Sequence, residues 1–244
     1  MCKKFLPGLL IFWMQSLHAQ QNFSDSVPGS LAEETKFAKN IYSLQKGNQA
    51  AIFNGTIHIS YSSEIEGIAY FFSVDWQKGN VLYGDIYYEN ILMKYDMVKD
   101  QLIVKAKESE GQAITLFSPR VKQFSFLDSK FIRVDNATAG SFLQAGFYRQ
   151  LTHGKVTALA RATKTISEKI TDNKVARKFE EKIKYYTLKD SRYSLIENKN
   201  NLLSILKERK KELQGFIKEN KLNFRKDMEN AIVSVVEFYN HLKG

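Results

Sequence analysis

Between residues 79 and 105 the chain turns back every few residues, and that rhythm limits its fold more than any other feature. Gly79-Asn80-Val81-Leu82-Tyr83 leads into Gly84-Asp85, then Ile86-Tyr87-Tyr88, Glu89-Asn90, Ile91-Leu92-Met93-Lys94-Tyr95-Asp96, a break at 97–100, and Gln101-Leu102-Ile103-Val104-Lys105. β-Branched and aromatic residues suit a pleated, half-buried surface, whereas Gly, Asn and Asp suit the reversals between such runs. The stretch predicts an antiparallel meander. Runs at 113–117, 121–127 and 130–134 extend it, and 56–61 and 67–73 precede it. Two further hairpins are expected, 146–151 with 155–161 around His153-Gly154, and 182–188 with 192–197 around Lys189-Asp190-Ser191.

The last fifty residues have a different period. Leu202, Leu203 and Leu206, then Leu213, Phe216 and Ile217, then Met228, Ile232, Val235, Val236, Tyr239 and Leu242 recur at three and four residues, the spacing of one helix face. The segment 220–223 separates the last two helices, and no proline follows residue 120 to interrupt them. An N-terminal helix is expected over 31–45, with Ser30 as its cap and Lys46-Gly47 as its stop. Strands followed by helices, rather than alternating with them, predict an α+β fold: an antiparallel β-meander, roll or sandwich with an N-terminal helix and C-terminal helices.

The first residues read as a secretory leader. Met1-Cys2-Lys3-Lys4 is basic, 5–14 is apolar, and a short polar stretch ends at Ala19. About ten apolar residues cannot span a bilayer, which needs roughly twenty. Cleavage near Ala19 is expected, with export to the periplasm, the outer surface or the medium. Cys2 is the single cysteine and leaves with the leader, so the mature chain has no disulfide. Three segments follow: a signal peptide at 1–19, an N-terminal helix plus antiparallel β domain at 20–197, and a basic helical segment at 198–244 packed on it.

Charge is uneven. Residues 21–154 hold 13 Lys+Arg against 14 Asp+Glu, and residues 155–244 hold 21 against 12. Such a basic half implies either an anionic partner or a solvated face. Lys207-Glu208-Arg209-Lys210-Lys211-Glu212 interleaves the two signs, as exposed helices do, which favours the solvated face.

The order of these features resembles a group of uncharacterised exported proteins of the Bacteroidota. The resemblance rests on Phe53-Asn54-Gly55, Trp76, Gly79-Asn80-Val81-Leu82-Tyr83, Tyr87-Tyr88-Glu89-Asn90, Tyr95-Asp96, Asp100-Gln101-Leu102-Ile103, Gly146-Phe147-Tyr148 and His153-Gly154. Its tail part is Lys184-Tyr185-Tyr186, Tyr193, Lys210-Lys211-Glu212-Leu213, Phe216-Ile217, Asn220-Lys221-Leu222 and Glu237-Phe238-Tyr239-Asn240. It implies an envelope address and the strands-then-helices layout, and it implies no activity. The segment 62–67 is more acidic than the group's pattern.

Sites of chemistry are sparse in the sequence. His58, His153 and His241 stand far apart, with no cysteine in the mature chain, so no metal site is expected. No nucleophile elbow, Ser-x-x-Lys set, phosphate loop or dinucleotide fingerprint occurs, and no cofactor is expected. Asp75, Asp85, Glu89, Asp96 and Asp100 lie among Trp76, Tyr83, Tyr87, Tyr88 and Tyr95. Paired carboxyls with aromatic platforms are what glycan binding or hydrolysis uses, but acids also belong in meander turns. Trp76, Tyr87, Tyr88, Asp85 and Asp96 are the candidate ligand-binding residues, and Lys207, Arg209, Lys210 and Lys211 the candidate anion-binding residues. Phe216 and Phe224 fit the apolar stripe better than a stacking platform, so nucleic acid is not the expected partner. The leading expectation is a non-catalytic envelope protein that binds or scaffolds an envelope polymer or another envelope protein. The alternatives are a glycan-binding or glycan-hydrolysing protein, and a binder of anionic surfaces through the basic C-terminal helices.

Overall fold

The computed structural model describes residues 52–105, 112–135, 143–171 and 174–242. The expected leader and the helix expected over 31–45 lie outside the described residues. The meander is present. β1 (Thr56–Ile57), β2 (Ile65–Glu66), β3 (Gln77–Tyr83), β4 (Ile86–Asp96), β5 (Gln101–Lys105), β6 (Ala113–Thr115), β7 (Val121–Phe126), β8 (Ser129–Val134), β9 (Gly146–Gln150), β10 (Val156–Thr171), β11 (Lys174–Lys189) and β12 (Arg192–Ile196) form one sheet. Its order is β1-β6-β5-β4-β3-β7-β8-β9-β10-β11-β12, with β2 beside β11 as a parallel pair. With α1 (Lys199–Ile205), α2 (Lys210–Glu219) and α3 (Met228–His241), the fold is α+β and mostly sheet. No helix among the described residues is long and apolar enough to cross a membrane.

Several boundaries differ from the sequence expectation. Glu89-Asn90 is not a turn but a bulge inside β4. Asn90 takes a left-handed φ of 55°, and the β3–β4 register shifts between Gly79 and Val81. A bulge inserts one residue and so reverses which side chains face inward. It lets Tyr88 and Ile91, three apart, both point to the core, and Met93 and Tyr95 follow on the same face. Gly79 sits opposite this bulge, where a Cβ would stand 2.3 Å from the Ser125 carbonyl oxygen. The run at 56–61 contributes only two paired residues, and 67–73 only the bridge from Tyr70 to Asp96.

The largest omission is 162–181, which no hairpin was expected to include. Here β10 and β11 pair continuously from Val156↔Lys189 to Thr171↔Lys174. The segment is too polar to show an apolar strand pattern, yet its alternation is clean. One face carries Val156, Ala158, Ala162, Lys164, Ile166 and Phe179, and the other Leu159, Arg161, Tyr186, Lys184 and Lys182.

Three cores follow from this. The first is aromatic: Tyr95, Phe124, Phe126, Phe131 and Phe147 are buried together, with Phe124 and Phe131 stacked 4.6 Å apart. Full burial of each such ring stabilises by about 1.5–3 kcal/mol. The second lies between the helices and the base of β10–β12, where Leu202, Leu206, Leu213, Ile232 and Val236 meet Val156, Ala158 and Ile196. The helical stripes expected from the sequence are those that are buried. Asn198 caps α1 by accepting from the Asn200 and Asn201 N–H groups, and Asp227 caps α3 by accepting from Asn230 N–H. Asn240 then ties α3 to the sheet: its amide oxygen accepts from Val156 N–H at 2.9 Å and its Nδ2 donates to Val156 carbonyl oxygen at 2.8 Å. The third core, Tyr148, Leu159 and Tyr186 with Val134 and Leu143, covers the opposite face of the same strands.

The β4–β5 turn docks on β10. Lys164 N–H donates to Met97 carbonyl oxygen at 3.0 Å, and Lys164 Nζ donates to the carbonyls of Ile68 and Tyr70. Asp100, in that turn, accepts from Tyr95 Oη at 2.6 Å, from Phe147 N–H and from Arg161 Nη2. Only glycine fits at 146, because a Cβ there would lie 2.1 Å from Asp100 Oδ2 and from Arg161 Nη1.

Candidate functional site

The structure disperses the ligand-binding residues expected on the meander. Tyr88 is 1% exposed and Asp96 is fully buried, so neither presents a surface to a ligand. Asp96 instead organises its own turn, accepting from the Val98 and Lys99 N–H groups and from Tyr61 Oη at 3.0 Å. Burial, and after it that carboxylate, pushes the Tyr61 phenol well above its ordinary range. Asp85 stands in the β3–β4 turn and is paired with Lys122 at 2.7 Å. Asp85 directly precedes the eleven residues of β4 and Asp96 is the last of them, a separation of about 35 Å at the rise of a strand. Two carboxyls that act on one glycosidic bond stand within about 10 Å of each other, so Asp85 and Asp96 do not form such a pair. Trp76 is half-buried, with Lys94 Nζ 4.6 Å over its ring. Burial drives the Lys94 ammonium down. Tyr87 faces outward and lines a 220 Å³ depression with Asn80, Gln123 and Lys130. Among the described residues no three His, Cys, Asp or Glu side chains gather as metal ligands.

The anion-binding candidates lie at the α1–α2 junction. Lys207, Lys210 and Lys211 are exposed, and Arg209 pairs with Glu212 at 3.3 Å. Glu208 between them accepts from Lys189 and from Tyr239, and those two bonds hold its carboxyl down at about 2. Within the run only Arg209 and Glu212 pair as helix neighbours, while Glu208 is engaged from other elements.

A wide concavity lies elsewhere in the same segment. A cleft of about 990 Å³ opens between the start of α1 and the end of α2 with the connection that follows it. The local sequence builds it by stopping α2 abruptly. Lys221 takes a left-handed φ of 52°, Leu222 N–H donates to Ile217 carbonyl oxygen, and Lys221 N–H donates to Lys218 carbonyl oxygen. These are the two bonds of a Schellman C-cap, in which the left-handed position is ordinarily glycine. Asn223 then accepts from the Arg225 and Lys226 N–H groups and turns the chain toward α3. The result brings Lys199, Lys218, Lys221 and Arg225 to one rim, against the single carboxylate of Glu197. None of the four cations has a carboxylate within ion-pair distance among the described residues. Asn198, Asn200, Asn223 and Gln214 add amides, and Ile217, Leu222 and Phe224 add an apolar part.

Lys207, Arg209, Lys210 and Lys211 fall outside this lining, although they belong to the same segment. The one sequence signal for the cleft is Asn220-Lys221-Leu222-Asn223, a helix break with lysine where glycine is usual. The cationic rim itself depends on Lys199 and Arg225 lining one cleft from different elements, which no local pattern displays. Compared with models of protein families, with curated proteins and with solved structures, the chain matches none of them.

Proposed function

We propose that this chain is a non-catalytic binding protein of the cell envelope that holds an anionic ligand in the cleft between α1 and the α2–α3 connection. The observation that carries the reading is the rim of four cations, without carboxylate partners among the described residues, around a cleft of about 990 Å³. Cations left unpaired at a concave surface keep their field for a ligand, and partial enclosure strengthens it relative to open water. The amides and Phe224 suit a ligand that has hydroxyl and apolar faces as well as charge. The leader expected over 1–19 supports the envelope address. Lys221 supports the site as well, since a lysine occupies a backbone position that costs a non-glycine residue free energy.

The test is a two-dimensional NMR titration of the full chain with trigalacturonate, a short acidic oligosaccharide, beside neutral maltotriose. The acidic trimer is expected to shift amide signals at 198–200 and 218–225, with an affinity that falls as salt rises. The double substitution Lys218→Glu/Arg225→Glu is expected to weaken it more than tenfold. Equal shifts with maltotriose, or shifts confined to other elements, overturn the reading.

A further inference from the structure

The excess positive charge of the C-terminal half is not mainly on the helices. Residues 156–189 alone hold nine Lys+Arg against four Asp+Glu, and these are the residues of the long hairpin β10–β11. Beyond Ala160 the last β9 pairing ends, and beyond Tyr185 toward the tip β12 pairing ends. The hairpin then continues as a ribbon over 161–171 and 174–184, about 35 Å long at the rise of a strand, flanked on the β11 side only by the two residues of β2 beside Arg177 and Lys178.

Its two faces differ. One is partly covered: Phe179 meets Tyr61 edge-on at 5.3 Å, and Lys164 is buried under the Ile68 and Tyr70 carbonyls. The other carries Lys169, Lys178, Lys182 and Lys184, all exposed, because strand alternation and the register place them there together. Lys178 pairs with Glu180 at 3.0 Å. Lys182 and Lys184 have no ion pair among the described residues, and stand opposite Thr163 and Arg161.

We infer that this lysine face is a docking surface for an extended anionic polysaccharide laid along the ribbon. Its length decides against a small anion: Lys178 to Lys184 spans about 20 Å. The side chains between and beside the lysines decide against nucleic acid. They are the hydroxyls of Thr163, Thr165 and Ser167 and the single carboxylate of Glu180, which Lys178 pairs, with no exposed aromatic on which a base could stack. The apolar residues near the free end decide against a bilayer. Ile170 and Val175 are 75% and 53% exposed, but they lie on the opposite face, so a membrane that received them would not meet the lysine row. Linear polyuronates and sulfated glycans supply what remains, regular charge on a hydroxyl-rich chain. The surface shares no residue with the α1–α2 cleft and stands or falls without it.

The test measures binding of the full chain to a galacturonate decamer by calorimetry. Lys182→Glu/Lys184→Glu is expected to weaken the decamer at least tenfold, and Lys182→Gln/Lys184→Gln several-fold. Both variants should melt at the wild-type temperature, because the replaced side chains are exposed. Trigalacturonate binding should not change in either. An unaltered decamer affinity overturns the inference. So does an equal loss for decamer and trimer, which would mark a general charge effect. So does tighter binding to anionic phosphatidylglycerol vesicles or single-stranded DNA than to the decamer.

Discussion

Replacing Lys221 by glycine should make the protein more stable and a poorer binder, and the size of the first effect follows from the backbone. Lys221 holds φ at 52°, where a Cβ crowds the following carbonyl. The left-handed conformation costs an L-residue about 1–2 kcal/mol relative to the right-handed one. Glycine removes that cost, but it also loses more chain entropy on folding, about 0.5–1 kcal/mol. The Schellman bonds of Leu222 and Lys221 N–H are made by the backbone and survive the change. The Lys221 side chain is exposed and belongs to no ion pair among the described residues, so little else is lost. The difference predicts a gain of about 0.5–1 kcal/mol for Lys221→Gly, and a loss of similar size for a β-branched Lys221→Val. Urea unfolding followed by far-ultraviolet circular dichroism measures it as a shift of midpoint at constant slope. The same Lys221→Gly protein should bind trigalacturonate several-fold more weakly, having lost one rim cation. A destabilised glycine variant would refute the strain argument, and unchanged binding would remove Lys221 from the site.

Two further outcomes test the framework. Asn240→Ala should cost about 2 kcal/mol, since it strips both backbone partners from the fully buried Val156. A loss below about 0.5 kcal/mol in urea unfolding would mean that Asn240 does not join α3 to the sheet. Glu208 gives a pH signature. Its carboxyl is held at about 2, below its ordinary 4.5, by bonds from Lys189 and Tyr239. A depressed folded value contributes stability above the unfolded one, and the contribution is lost as pH falls from 4.5 toward 2. The pair is partly solvated, so the effect should stay under about 1 kcal/mol. Wild type should therefore lose more stability than Glu208→Gln across that range in acid-dependent unfolding, and parallel curves would refute it.

Much of the fold is legible in the sequence because its causes are local. A stripe such as Met228, Ile232, Val235, Val236 and Tyr239 specifies a buried helix face within fourteen residues, and these are the residues packed on the sheet. The runs from Gly79 to Lys105 specify strands through residue type and turn chemistry alone. Where several residues must act together, local spacing stops being informative. Tyr87 and Tyr88 are equivalent in the sequence. The bulge at Asn90 and the neighbours across β3 send one outward and the other to 1% exposure. Asp85 and Asp96 look like members of one acidic cluster, and the length of β4 holds them apart.

The ribbon shows the same division from the other side. Its residues are too polar to advertise a strand, because a hairpin that runs out beyond β9 and β12 buries little and needs no apolar row. What the amino-acid order decided unaided is the charge excess of the C-terminal half and the helices that carry part of it. Only the tertiary structure decided that Lys182 and Lys184 share an open face, and that Lys199, Lys218, Lys221 and Arg225 surround one cleft. Such groupings arise from register across strands and from the packing angle of helices. Both are set by the whole core, and neither is written in any short stretch of chain.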